Sequence, residues 1–430
     1  MSTERGINIS GYINKQFGLG EGVRSNIRSI AAAQIPYVLN NFKGQISRDI
    51  LDEKQHNVEL TDDNPYAINL IQINVDNFDK MLVLNDDAYF SGKYNIGFWA
   101  WELENFPSYF QQYINFLDEI WVPSNFCQNS IAQVSSKPVL TFMHSIDIPE
   151  VHFTRADFGL PEDKLMYLAM FDYHGTVQRK NPYATIDAFE KAFGKDSSEA
   201  ILVIKTSLGV EFPQVKAALK EYIKENSAIY LIEDILPREK LYGLMSVCDV
   251  YVSLHRSEGF GLTMAETMAL GKAVIATDYS ANTEFMKSDN SILIPYTLVP
   301  TNADYIYSDI ENWWADANVD EASRAMLFLA KNPEQRSAMG QRAKKHIADF
   351  LAPSRIGQRI KNRIDYIYDH CMSDLNNDDK RLLIKLRLDN AVLQTKVDAL
   401  RRIKAVQWKL AFKNLKNKWS GKQRKYIWED

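Results

Sequence analysis

The stretch DVYVSLHRSEGFGLTMAETMALGKAVIATD, Asp249–Asp278, predicts a strand, a loop, a helix and a second strand in that order. The first strand ends near Leu254. The helix runs from about Leu262 to Leu270 and is stopped by Gly271, a residue type that commonly terminates helices. A strand–helix–strand unit of this kind belongs to a parallel sheet with helices on both faces. The stretch therefore predicts an α/β fold.

Two sets of strand candidates extend this pattern along most of the chain. The first set comprises GINISGYI, IPYVLNNF, AINLIQIN, YNIGFWAW, EIWVPS and PVLTFMH, and the second comprises LMYLAMFD, AILVIKTS, AIYLIED, DVYVSLH, AVIATD and SILIPY. Helical patterns lie between members of the second set, and one of them has Asn181 as its predicted cap and Pro182 in its first turn. Two such sets predict two doubly wound domains, 1–147 and 148–350, with a ligand cleft between them.

The same stretch carries two glutamates that suit a polar ligand. Glu258 lies in the predicted loop, and Gly259 and Gly261 after it allow a ligand to approach the backbone closely. Glu266 lies one turn into the helix, whose free N–H groups and positive dipole end attract anions. A nucleoside diphosphate sugar has hydroxyl groups at each end and a diphosphate in the middle. It therefore fits two carboxylates that flank a helix start.

The run EGFGLTMAETMALGKAVIAT resembles, nearly residue for residue, the E-x7-E signature of retaining glycosyltransferases of the GT-B fold in family 4 (group 1). FGLGEGVRSNIRSIAAAQIPYVL and FDYHGTVQRKNPYATIDAF resemble the family's first glycine loop and the opening of its second domain. The run YNIGFWAWELENFP resembles a subset that acts in bacterial surface polysaccharide assembly, including O-antigen and capsule. The resemblance covers roughly residues 1–370 and implies two Rossmann-like domains that face a cleft.

The resemblance also implies roles for individual residues. Glu258 would contact the donor sugar and support its developing positive charge, and Arg179 and Lys180 would neutralise the departing diphosphate, so these three form the catalytic set. Glu266 would bind the ribose. The remaining donor-binding candidates are the backbone N–H groups of Gly261, Leu262 and Thr263, the glycine loop with Gly18 and Gly20, and Lys205 at a strand end.

The chain departs from the family pattern at two places. The family usually has an arginine about five residues before its lysine, but Gly175 stands there, so we expect Arg179 to take that part. Many members have a histidine after the fourth strand of the first domain, where this chain reads WAWELE and Glu102 stands nearest. Glu102 would hold the donor or the acceptor, or would be a structural carboxylate beside aromatic side chains. We assign His144 to the linker.

The resemblance implies a retaining, metal-independent hexosyltransferase that needs no cofactor. It would move a hexose, with mannose favoured, from a nucleotide sugar to a growing bacterial polysaccharide or a lipid-linked glycan. GDP-mannose is the favoured donor, followed by UDP- and dTDP-sugars. Two alternatives remain at this stage. One is an epimerase or phosphorylase of the same fold, which would consume the donor without an acceptor. The other is a non-catalytic assembly scaffold, which the intact catalytic set argues against.

The end of the chain differs from the rest. We expect a closing helix at 351–372, where Ile356, Ile360, Ile364 and Ile367 form one stripe, and a helical tail at 373–430. In that tail, Leu386, Asn390, Leu393, Val397 and Leu400 follow a heptad spacing. This short seam predicts either a homo-oligomer through residues 382–403 or a helix that docks on the chain's own body.

Charge separates the last thirty residues from the body. The net charge is −5, but residues 401–430 hold ten Lys or Arg and two Asp or Glu, so they carry +8 and the rest carries −13. Trp408, Phe412, Leu415 and Trp419 form an apolar stripe among these lysines. Such a helix suits an anionic membrane surface, with another assembly protein or a merely solvated terminus as alternatives. The acidic body argues against nucleic acid as a partner.

Composition bounds the location of the protein. Apolar content of 46% and charged content of 24% are typical of a globular protein. The N-terminal residues MSTERGINIS show no secretion signal, and no apolar run is long enough to span a bilayer. Cys127, Cys248 and Cys371 are odd in number and far apart, which indicates a reducing compartment. We expect a cytoplasmic protein whose tail contacts the inner face of the cell membrane.

Overall fold

The structure, a computed structural model, describes residues 4–42, 59–85, 87–302, 305–372, 382, 385–390, 392–393 and 397. Over the described residues, the N-terminal domain holds a parallel sheet of seven strands in the order β3-β2-β1-β4-β5-β6-β7. Its strands are β1 (Ile7–Gly11), β2 (Tyr37–Asn41), β3 (Leu60–Thr61), β4 (Ile68–Gln72), β5 (Tyr94–Phe98), β6 (Glu119–Val122) and β7 (Val139–Thr141). Its helices are α1 (Gly18–Ala32), α2 (Phe78–Leu84), α3 (Asp87–Phe90), α4 (Gln111–Ile114) and α5 (Asn125–Ala132).

The C-terminal domain repeats this architecture with six parallel strands in its described part, in the order β10-β9-β8-β11-β12-β13. The strands are β8 (Leu165–Met170), β9 (Ala200–Lys205), β10 (Ile229–Ile232), β11 (Val250–Ser253), β12 (Ala273–Thr277) and β13 (Ile292–Ile294). Its helices begin with α6 (Val177–Lys180), α7 (Pro182–Phe193), α8 (Pro213–Ile223), α9 (Arg238–Val247) and α10 (Leu262–Ala269). The predicted fold of two doubly wound domains is confirmed, and each of the twelve strand candidates contains a strand.

The apolar runs explain why the strands can be found in the sequence. Every residue of β1, β4, β5, β9 and β12 is buried, because helices cover both faces of each sheet. The short strand β3 was not predicted, since its two residues are only partly buried and give no periodic signal.

The predicted cap of α7 is at the expected residue, but it lacks the expected side-chain hydrogen bond. Asn181 stands at the N-cap of α7 and Pro182 takes the first helical position. However, Asn181 has φ 51° and ψ 52°, and its side chain makes no capping hydrogen bond. The reason is that Asn181 also ends the short helix α6, where a left-handed residue turns the chain between two helices.

A feature that the sequence did not predict is an antiparallel arm after β13. Its strands β14 (Tyr296–Pro300) and β15 (Trp313–Ala317) form a separate two-stranded sheet. The arm contacts the N-terminal domain, since Asn105 N donates to Asn312 Oδ1 at 2.9 Å and Tyr307 packs on Trp101 with ring centroids 4.6 Å apart. The chain then forms α11 (Val319–Lys331), α12 (Pro333–Phe350) and α13 (Pro353–His370).

Helix α13 is the predicted closing helix, and it packs on the N-terminal domain. All four residues of its isoleucine stripe are buried: Ile356, Ile360, Ile364 and Ile367. Gly357 fits against α1 so closely that a Cβ there would lie 2.1 Å from Ser29 O. Arg363 forms an ion pair with Glu119 of β6. The chain therefore crosses between the domains twice, and the crossings touch where Ile146 N donates to Leu351 O at 2.9 Å.

The predictions for the tail fall mostly outside the described residues. Leu386, Asn390, Leu393 and Val397 of the heptad seam are exposed, whereas Leu400 and the basic segment 401–430 are not described. Leu388, on another face, is buried against the N-terminal domain. Within the described part of the chain, no helix is long and apolar enough to cross a membrane.

Candidate active site

The loop between β11 and α10 carries the centre of the candidate site. Gly261, at the N-cap of α10, has φ 95°, a backbone conformation that residues other than glycine rarely adopt. It turns the chain so that α10 begins at Leu262, and the N–H groups of Leu262 and Thr263 in the first turn have no acceptor within their own helix. These three residues therefore provide an anion-attracting helix start.

Glu258 is paired with Arg179 and Lys180, the two cations that the sequence analysis placed with it in the catalytic set but assigned to the diphosphate. Its carboxylate forms an ion pair with Lys180 Nζ, and Arg179 Nη1 lies 3.5 Å from its Oε2. Arg179 Nη1 also donates to Ser257 O at 2.8 Å. Burial raises the pKa of Glu258, but Lys180 and Arg179 outweigh it and lower the pKa to about 2. Glu258 is therefore ionised at neutral pH.

Arg179 links the carboxylates of two domains. Its Nη2 lies 3.5 Å from Oε1 of Glu102, which follows β5 in the N-terminal domain. Burial alone would lower the pKa of Arg179, but Glu102 and Glu258 raise it. A Cβ on Gly175 would lie 3.7 Å from Arg179 Nη2 and 3.4 Å from Lys180 Cε. The two cations thus occupy the space beside the position where the family usually has an arginine.

Lys205 lies at the last position of β9, at the carboxyl-end edge of the same sheet. Burial lowers its pKa to about 8, although Asp172 and Asp234 oppose this shift. Asp172 also raises the pKa of Arg179, so both cations lie within the field of one carboxylate. Lys205 therefore adds positive charge to this edge of the sheet.

Glu266 is buried in α10 and has partners that the sequence did not indicate. Its Oε1 accepts hydrogen bonds from Arg238 Nη2 at 2.7 Å and from Tyr242 Oη at 3.2 Å. Both donors belong to α9, which was predicted only as a helix. Arg238 is the first residue of the helix that follows β10, and a cation at this place, beyond the carboxyl end of a strand, was a signal that could have been used. Burial raises the pKa of Glu266.

The two glycines of the first loop differ in their surroundings. A Cβ on Gly18 would meet nothing within 4 Å, whereas a Cβ on Gly20 would lie 2.2 Å from Lys15 O. Gly20 is therefore required by the close approach of its own preceding turn. Gly18 borders open space at the start of α1, and it alone of the pair leaves room for a ligand.

The loop that carries Glu258 also contacts the N-terminal domain directly. Ser257 Oγ donates to Glu102 O, Ser124 Oγ donates to Gly259 O at 2.7 Å, and Cys127 Sγ donates to the same oxygen at 3.3 Å. The catalytic candidates Glu258, Arg179 and Lys180 are thus assembled at the boundary between the domains.

His144, assigned to the linker from the sequence, lies in the core between the domains. It stacks on Phe98 and contacts Phe260 edge-on, and burial lowers its pKa to about 4. Among the described residues, no three His, Cys, Asp or Glu side chains are grouped in a way that could hold a metal ion. The arrangement that remains is a domain boundary with several fixed cations, an ionised glutamate and a helix start.

Residues 155–346 match the family model of group 1 glycosyl transferases. The matched range includes Arg179, Lys180, Lys205, Glu258 and Glu266. The glycosyl transferase match does not extend to Gly18, Gly20 or Glu102 in the N-terminal domain.

Solved structures show the same fold over most of the chain. Sucrose-phosphate synthase from Thermosynechococcus elongatus aligns with a TM-score of 0.64 and 13% identity, over 85% of this chain and 100% of that one. HepE from Anabaena, in complex with UDP and glucose, aligns with a TM-score of 0.61 and 14% identity, over 84% of this chain and 100% of that one. A glycosyltransferase from Rickettsia africae aligns with a TM-score of 0.59 and 12% identity, over 86% of this chain and 100% of that one. No curated protein matches the sequence.

At this level of identity the structural neighbours establish the fold, and the family match adds that residues 155–346 are similar to group 1 glycosyl transferases. Together they support a fold of two Rossmann-like domains, with the similarity to group 1 glycosyl transferases lying in the second.

Proposed function

We propose that the protein transfers a hexose from a nucleoside diphosphate sugar to a hydroxyl group of a glycan or lipid-linked glycan, with retention of configuration. One observation carries this proposal: the ionised Glu258 is held by Lys180 and Arg179 beside the start of α10. A departing diphosphate needs fixed positive charge in a site that excludes water, and a sugar with a developing positive charge needs a carboxylate nearby. This cluster supplies both.

The proposed reaction proceeds on one face of the sugar. The bond between the anomeric carbon and the phosphate oxygen breaks, and its electron pair leaves with the diphosphate. Arg179, Lys180, Lys205 and the N–H groups of α10 stabilise the new negative charge. The acceptor oxygen then bonds to the same face of the anomeric carbon, and its proton passes to the departing phosphate oxygen.

The remaining residues would orient the two substrates. Glu266 would accept a hydrogen bond from a ribose hydroxyl, and the backbone at Gly261, Leu262 and Thr263 would face the donor. Gly18 has free space beside it, which supports contact with the donor from the opposite domain. Glu102 touches Arg179 rather than aromatic side chains alone, which favours a role in holding the donor or the acceptor.

GDP-mannose remains the first donor to test, because the sequence resembles enzymes of bacterial surface polysaccharide assembly. UDP-sugars deserve equal effort, since HepE from Anabaena has been solved with UDP-glucose. A thermal-shift screen with GDP-mannose, UDP-glucose, UDP-N-acetylglucosamine and dTDP-rhamnose tests the proposal, because a ligand that binds the native state raises its stability.

We expect one of these sugars to raise the melting temperature of the wild type but not of Glu266→Ala. Product analysis with that donor then separates transfer from other chemistry. Consumption of the donor without any acceptor would indicate an epimerase or phosphorylase, and no stabilisation by any donor would contradict the proposal.

A further inference from the structure

Arg238 lies between two glutamates that belong to opposite domains. Its Nη2 is 2.7 Å from Glu266 Oε1 in the C-terminal domain, and its Nη1 is 2.6 Å from Glu21 Oε2 in the N-terminal domain. Glu21 lies in the first turn of α1. The arginine side chain is 19% exposed, and the two glutamate side chains are 5% and 7% exposed. The three charges therefore form a bridge that is largely shielded from water.

Glu21 is held by further cations of its own helix. Arg24 Nε lies 2.9 Å from its Oε2 and Arg28 Nη2 lies 2.7 Å from its Oε1. Burial would raise the pKa of Glu21, but Arg238, Arg28 and Arg24 outweigh it and lower the pKa. Because Arg24 and Arg28 already compensate Glu21 within its own domain, its charge does not by itself require Arg238. The bridge across the domains needs another explanation.

Glu266 keeps one oxygen available. Both Arg238 and Tyr242 bind its Oε1, and Oε2 has no hydrogen bond or ion pair to the described part of the chain. The guanidinium group of Arg238 also lies over the ring of Tyr242, with its central carbon 4.7 Å from the ring centroid. Arg238 and Tyr242 thus fix the orientation of Glu266 while leaving Oε2 for a ligand hydroxyl.

We propose that Arg238 is a positioning residue that couples the capture of the donor's ribose at Glu266 to closure of the two domains. This inference rests on the proposed function, which assigns the ribose to Glu266. A planar guanidinium can bind one carboxylate with each of two nitrogens, whereas a lysine ammonium is a single point charge. Loss of the contact with Glu21 should then weaken nucleotide binding, although Glu21 has no assigned contact with the nucleotide.

Three variants test this coupling. Glu21→Gln removes the charge on the N-terminal side, and Arg238→Lys keeps the charge but not the two-sided geometry. Arg28→Lys is the matched control, because Arg28 also binds Glu21 but belongs to the same helix. UDP and GDP binding is measured by calorimetry, and the radius of gyration by small-angle X-ray scattering, with and without nucleotide. Melting curves confirm that each variant folds.

We expect the wild type to bind one of the two nucleotides and to have a small radius of gyration when that nucleotide is bound. Glu21→Gln and Arg238→Lys should each lower the affinity about tenfold, a typical coupling between two sites, and should have a larger radius of gyration. Arg28→Lys should behave as the wild type. The double variant with Glu21→Gln and Arg238→Lys should bind the nucleotide no more weakly than Arg238→Lys alone, since both changes break the same bridge. If Glu21→Gln does not fold, Arg238→Lys and its control decide the question.

The possible failures are distinct. If the wild type binds neither nucleotide and transfers no sugar, both the proposed function and this inference are overturned. If the wild type binds a nucleotide but Arg238→Lys and Glu21→Gln bind it equally well and stay equally compact, only the inference is overturned. Additive losses in the double variant would also overturn it.

Discussion

At the scale of single residues, the ionised state of Glu258 decides what the site can do. We expect Glu258→Gln to lower the turnover number by at least about 100-fold, the effect of removing one charge-stabilising group from an active site. Nucleotide binding should remain, since Arg179 and Lys180 keep their charges. Steady-state kinetics and calorimetry measure the two effects.

The matched control for this variant is Glu321→Gln, which breaks an exposed ion pair with Arg324 on α11. It should leave turnover unchanged. Turnover of Glu258→Gln at the level of the wild type would contradict the role given to this carboxylate.

Lys205 provides a prediction about pH. Because burial lowers its pKa to about 8, its side chain is charged below that pH and becomes neutral above it. The attraction for the donor diphosphate is therefore present at pH 7 and declines as the pH rises through 8. We expect kcat/KM for the donor to fall over this range, since this ratio reports ionisations of the free enzyme.

An arginine at the same position keeps its charge to much higher pH. The Lys205→Arg variant should thus lose the decline near pH 8, whatever its absolute activity. If the decline persists unchanged in Lys205→Arg, another group is responsible for it.

At the scale of elements, the packing of α13 on α1 depends on Gly357. A Cβ at this position would lie 2.1 Å from Ser29 O and 3.0 Å from Ala33 Cβ, so Gly357→Ala must push the helices apart. We expect a loss of about 1–3 kcal/mol in the free energy of unfolding, the usual cost of overpacking. Chemical denaturation measures it.

The neighbouring Gln358 lies on the exposed face of α13, and its side chain donates a hydrogen bond to Asn362 of the same helix. Its replacement by alanine should change the free energy of unfolding little. Equal stability of the two variants would show that α13 adjusts its position without cost.

Helices and strands were predictable from the sequence where they bury one face or both faces, because burial leaves a regular apolar pattern. The apolar run of five residues that begins β9 and the isoleucine stripe of α13 are local patterns, and both were found. The family resemblance implied the grouping of Glu258 with Arg179 and Lys180, and it agrees with the rule that the carboxyl ends of parallel strands meet at one edge. The bridge from Arg238 to Glu21 was not, since it depends on how two domains face each other and no local period encodes that. The arm β14–β15 was missed for a similar reason: its β14 residues are mostly exposed.

At the scale of the whole molecule, charge is divided between an acidic body and a basic end. Residues 401–430 carry a net charge of +8, and each basic residue near an anionic surface adds about 1 kcal/mol of attraction. We expect the full chain to sediment with vesicles that contain an anionic lipid and not with neutral vesicles. A chain that ends at residue 400 should lose this binding but keep transfer to a water-soluble acceptor.

The truncation point preserves Leu388, which is buried against the N-terminal domain. Raising the salt concentration should release the full chain, because it screens the attraction. Equal recovery of the full and shortened chains on anionic vesicles would contradict a membrane role for this segment.

The double crossing of the chain between the domains has a consequence for protein engineering. A recombinant exchange of the donor-binding half for that of another enzyme cannot be made with a single junction near residue 147. The first half is discontinuous in sequence, since α13 is built into it through Glu119 and Ser29. A functional hybrid therefore requires an inserted cassette, with one junction near Ile146 and the other near Leu351, where the two crossing segments already lie side by side.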